Sequence, residues 1–193
     1  MDLDQLAGET TAACFWLCLA AGLAAGGEAI KSQSLTSLLA ISSLWDRAVA
    51  QCPTALHNLG GAAIQNSCLG ELAEGLRAYF CQGPGAVLLQ PNVMARLFPS
   101  FACLSAIGPP RTLLHYKAWV HKVGVNEFAD ELILAVVARE LKIRIVVVPW
   151  TPSNSVALWS ISSYPDAEPS QHDLPIIYMG NNDVHYVWLA LQS

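Results

Sequence analysis

From residue 12 to residue 25 almost every position is apolar or small, and Gly26-Gly27 closes the run. That pattern reads as a buried helix over 12–25, ended by the glycine pair. Leu35, Leu38, Leu39, Ile41 and Leu44 recur at spacings that predict a second helix over 34–50, broken by Cys52-Pro53. A third helix is expected over 69–81, ended by Gly83-Pro84-Gly85. A short one is expected over 93–98, inside a proline-punctuated stretch, and residues 115–123 show no decisive period.

The strongest helical signal lies at 126–141, where Phe128, Leu132, Ala135, Val136 and Arg139 share one face. Asn126 reads as its N-cap, and Glu127, Asp130 and Glu131 suit the positive end of the helix dipole. The β-branched run over 143–148 reads as a strand buried on both faces and stopped by Pro149. Further strands are expected at 155–161, 175–179 and 184–191, with a loop at 162–175 and a turn at 180–183. The last two strands form a hairpin, in which His185, Val187 and Leu189 alternate against Tyr186, Trp188 and Ala190. Helices first and strands last predict an α+β fold, as a single domain over 1–193.

Composition narrows the function. Apolar residues make up 53% of the chain and charged residues 13%, the reverse of a disordered segment. The longest apolar run, about 15 residues, is shorter than the roughly 20 a spanning helix needs. Asp2, Asp4 and Glu9 precede it without a Lys or Arg, so the positive region of a secretory signal is missing. A cytoplasmic setting with reduced thiols follows as the expectation. The ten Lys and Arg are scattered, densest at Lys142-Ile143-Arg144, and the net charge is −5, which argues against a nucleic-acid partner. Cys14, Cys18, Cys52, Cys68, Cys81 and Cys103 form no CxxC pair, so a structural zinc site is not expected. No GxGxxG, P-loop, HExxH or GxSxG motif occurs, and neither metal nor cofactor is implied.

Candidate chemistry gathers at the two ends of the sequence. Cys14 stands where a polar segment meets a helix, a position whose unpaired N–H groups lower a thiol pKa and hold a developing oxyanion. The ordinary alternative is a core cysteine, the role expected of Cys18 one turn on. His185 stands near the start of the last strand, after an Asn/Asp-rich turn. There it is a base on a rigid element or a plain surface histidine. The plain role suits His57, His115, His121 and His172. A catalytic Cys and His need to be close in space, not in sequence.

Taken together, these landmarks resemble the ovarian-tumour (OTU) family of cysteine proteases. Cys14-Phe15-Trp16 followed by a helix is similar to the family's nucleophile segment. The helix–strand unit from Asn126-Glu127-Phe128 to Val148 is similar to its central unit. Ile176-Ile177-Tyr178, then Asp183-Val184-His185-Tyr186, is similar to its closing strand, turn and His-Tyr pair. The middle, about residues 30–115, matches only in its helices. The resemblance implies a papain-type fold with N-terminal helices packed on a small C-terminal sheet. It also implies a thiol hydrolase cutting isopeptide or peptide bonds after the C-terminal Gly of ubiquitin or a ubiquitin-like protein. Cys14 would be the nucleophile, His185 the general base, and backbone N–H groups around Ala12, Ala13 and Cys14 the oxyanion hole.

Where the family usually carries an Asp before the Cys and an Asp or Asn after the His, this chain has Thr11 and Val187. Asp183 is the candidate third member, with Asn182, Asn181 and Thr11 behind it. Three readings stay open. The first is an active deubiquitinase of viral or bacterial-effector type, acting in a host cytoplasm or on its own polyprotein. The second is an inactive OTU-like module that binds ubiquitin or another protein. The third is a structural or interaction domain with a buried Cys14.

Overall fold

The computed structural model describes residues 13–34, 41–55, 68–83, 86, 121, 124, 129, 131–149, 162–164, 173–181 and 186–189. Helices precede strands among them, an α+β arrangement. Helix α1 spans Cys14–Ser34, α2 Ser42–Ala55, α3 Cys68–Cys81 and α4 Glu131–Glu140. Strands β1 (Arg144–Pro149), β2 (Ser162–Tyr164), β3 (Ile176–Asn181) and β4 (Tyr186–Trp188) form one sheet in the order β2-β1-β3-β4. None of the described helices is long and apolar enough to cross a membrane.

Helix α1 is the hub of the core. Phe15, Trp16, Leu19, Ala20, Leu23 and Ala24 are all buried, because the helix lies between α2 and α3 on one side and the sheet on the other. Gly22 is the point of closest approach to the sheet: a Cβ there would stand 2.6 Å from Ile177 Cγ2. The expected stop at Gly26-Gly27 is a kink instead. Gly27 takes φ 54° and ψ −142°, a conformation open to glycine, and helical bonding then resumes to Ser34. Beyond the kink Ile30 is buried in the core, which repays the resumed turn.

Helix α2 runs through the expected break. Pro53 lies in the last turn, where a missing N–H forfeits a single helical bond. Helix α3 follows its sequence pattern, with Leu69, Leu72, Ala73, Leu76, Arg77 and Phe80 buried at helical spacing. It ends where the Gly83 N–H reaches back to Ala78 O at 2.7 Å.

Helix α4 departs from the one-faced pattern. Every residue from 133 to 138 is buried, while Arg139 is exposed rather than on a core face. α4 packs on β1 and β2, and its 133–138 stretch is buried all round, so that stretch needs no polar face. Asn126 and Phe128 lie outside the described residues. Lys142 then turns the chain with φ 50°, and Ile143 N–H closes on Ala138 O at 3.0 Å.

In the sheet, β1 pairs parallel with β3 and antiparallel with β2, and β3 pairs antiparallel with β4, which is the expected final hairpin. Ile145, Val147, Ile177 and Met179 are buried. Val146 and Val148 are only half-buried, so β1 is not enclosed on both faces as its composition suggested. The helices cover the 145/147 face, and the opposite face keeps partial access to solvent. Strand β2 falls in the stretch read as a loop, while 155–161 lies outside the described residues. Ser162 and Ser163 have weak strand character of their own, and Tyr164 alone favours a strand. They take their conformation from the backbone partners Val147, Val146 and Ile145.

Candidate active site

The site begins with a helix terminus. Ala13 O accepts the Leu17 N–H at 3.1 Å, which makes Ala13 the N-cap and Cys14 the first helical residue. The N–H groups of Cys14, Phe15 and Trp16 therefore have no acceptor within the helix. Cys14 itself is half-buried.

A second element meets it there. The Tyr186 N–H donates to Cys14 Sγ at 3.4 Å, across 172 residues of sequence. Its direction follows from the strand. Leu189 N–H bonds to Tyr178 O at 3.0 Å, and Val187 lies opposite Gly180. In an antiparallel pair, alternate amides face the partner. Those of Tyr186 and Trp188 therefore point away from β3, and that of Tyr186 reaches α1. The Trp188 amide meets the Cys18 thiol there.

The two spacings match for a geometric reason. Two strand residues advance about 6.7 Å and four helical residues about 6 Å, so one strand repeat keeps pace with one helical step. Side chains add a clamp: the Phe15 and Tyr186 rings meet edge to face, centroids 5.6 Å apart at 67°. Phe15 in turn contacts Trp16, and Trp16 stacks near Phe80 of α3.

The electrostatics differ from the expectation of a lowered thiol pKa. Burial pushes the Cys14 thiol up, and the backbone amides of Tyr186, Phe15 and Cys14 pull it only part of the way back. Desolvation outweighs the amides here because most of the thiol's hydration is lost, whereas each amide returns only part of it. Cys18 is pushed well above the ordinary range by burial, then by its neighbour Cys14, with the Trp188 amide opposing. Cys18 is buried, as a core cysteine.

Of the residues singled out from sequence, His185, Asp183, Ala12, Thr11 and Asn182 lie outside the described residues. Ala13 contributes its carbonyl to the helix, and the backbone amides of Cys14 and Phe15 act on the thiol together with that of Tyr186. Val187 is buried and apolar. Asn181 faces Tyr186 directly across the hairpin. His121 is exposed. The Tyr186 amide and the Phe15 ring are contributors that the motif reading passed over. Their only signal in sequence is the aromatic that follows each of Cys14 and His185. Among the described residues no cluster of three metal-ligating side chains occurs. No protein-family model matches the chain, and comparison with curated proteins gives no match.

Proposed function

We propose that this protein is a thiol-dependent hydrolase with an OTU-like, papain-type fold, using Cys14 as nucleophile and His185 as general base. Its substrates are isopeptide or peptide bonds after the C-terminal Gly of ubiquitin or a ubiquitin-like protein, in a cytoplasmic setting. The observation that carries the reading is the contact between Cys14 Sγ and the Tyr186 N–H. The peptide bond bearing that amide joins Tyr186 to His185, so the candidate base is the covalent neighbour of the group touching the thiol.

The thiol's environment shapes the mechanism. A cysteine held up by burial is protonated at neutral pH, so it needs a base at the moment of attack rather than a preformed ion pair. In the proposed cycle His185 takes the Sγ proton as sulfur attacks the carbonyl carbon. The negative oxygen then develops beside the N–H groups that begin α1. His185 returns the proton to the leaving amine, and water, deprotonated by the same imidazole, releases the acyl group.

A second reading is favoured by one further observation. Val187, at the family's usual acid position, is buried and cannot orient an imidazole. An OTU-like module that binds its partner with weak or no turnover fits that feature. Ubiquitin carrying a thiol-reactive C-terminal group separates the two. A covalent adduct, seen by mass and lost in Cys14→Ala, supports the hydrolase. Binding without an adduct selects the module, and neither binding nor adduct removes ubiquitin as the partner.

A further inference from the structure

We propose that Tyr186 is a positioning residue for the Cys14 thiol: its ring, lodged against Phe15, holds its own backbone N–H on Sγ, so that the edge of β4 facing away from β3 stabilises the thiolate. The role deepens the hydrolase reading and rests on it. The amide comes from the strand edge and not from the helix, and it lies 3.4 Å from sulfur.

The contact is held by independent restraints. Leu189 N–H is committed to Tyr178 O, which fixes the direction in which the Tyr186 amide points. The Trp188 amide acts on the Cys18 thiol one repeat further on, in step with Tyr186 and Cys14. The Phe15–Tyr186 ring contact sets the separation of the two elements at the thiol itself. Phe15 is fully buried, and Tyr186 packs against the same core, so this contact cannot shift without disturbing the core. A hydrogen bond to a charged group is stronger than one to a neutral group, so the amide favours thiolate over thiol.

Two measurements test the role without any substrate. The first is amide exchange by NMR in wild type and Cys14→Ala. Loss of the acceptor is expected to speed exchange at Tyr186 by about tenfold and leave Leu189 unchanged. The second is the pH dependence of Cys14 alkylation by iodoacetamide, read by mass on the Cys14 peptide. Tyr186→Leu and Phe15→Leu should move the midpoint upward by about one pH unit, while Tyr186→Phe keeps the wild-type value. Unchanged exchange at Tyr186, or unchanged midpoints in the folded Leu variants, overturns the proposal. Should neither Leu variant fold, the exchange measurement decides alone. A protein that passes both and forms no ubiquitin adduct keeps the thiol geometry and loses the hydrolase reading, so the two failures stay distinct.

Discussion

Phe15 and Tyr186 join the first turn of α1 to the last described strand, their ring centroids 5.6 Å apart and inclined at 67°. Each is next in sequence to a residue of the candidate pair, Cys14 and His185. The ring contact thus holds the first turn of α1 against β4. The packing of α1 against the sheet is therefore where substitutions should report first.

Gly22→Ala should destabilise the protein by about 1–3 kcal/mol through overpacking. The added Cβ would lie 2.6 Å from Ile177 Cγ2 and 3.0 Å from Ile177 Cδ1. In a double-mutant cycle with Ile177→Ala, denaturant melts should show a loss smaller than the two single losses added together. Additive losses would place the cost elsewhere in α1.

Lys142→Gly should stabilise the fold by about 0.5–1 kcal/mol. Lys142 holds φ 50°, a conformation that a side chain disfavours and glycine accepts freely. The residue is exposed, so little contact is lost. A rise in the urea midpoint with an unchanged slope checks it, and a fall would show that the lysine side chain holds the turn.

Alkaline destabilisation should track buried thiols. Burial raises Cys81 from the ordinary 9.0 to about 12, so the folded protein holds that proton more tightly than the unfolded chain. Its contribution is fully present below pH 9.0 and is lost as pH climbs toward about 12. Cys14 and Cys18 act in the same direction. Urea melts across that window should show falling stability, with a shallower fall in Cys81→Ala.

Glu74→Gln should cost about 1–2 kcal/mol, although Glu74 is itself largely exposed. Arg77 Nε donates to Glu74 Oε2 at 2.7 Å, and Arg77 Nη2 donates to Glu74 Oε1. The arginine is the buried partner, with Nη1 lacking an acceptor among the described residues. Removing the carboxylate leaves a buried cation under-compensated. Arg77→Met removes the cation as well and should cost less than Glu74→Gln. Thermal melts of both variants rank the two, and the opposite order would show that the guanidinium contributes net stability.

Much of this architecture is legible in the chain. Period and composition locate the cores of all four helices, because apolar residues at helical spacing leave few alternatives. β3 and β4 are likewise marked by alternation around turn residues. Boundaries fail where a tertiary contact overrides a local signal. Gly27 bends α1 rather than ending it, since Ile30 beyond it has a core to enter. Ser162–Tyr164 becomes a strand because β1 offers it partners, although its two serines do little to favour one. Cys14 is placed at a helix start by sequence, but its raised thiol pKa was not foreseeable from that position. Its burial comes from packing that only the folded chain brings together.

The thiol's surroundings also carry a timing consequence during synthesis. Cys14 leaves the ribosome 172 residues ahead of Tyr186 in the strand that reaches it, which at about 5–20 residues per second is a delay of roughly 10–30 s. Throughout that interval the nascent helix bears a thiol without its β4 partner. The burial and the strand amide that together set its ionisation act only once β4 docks against α1.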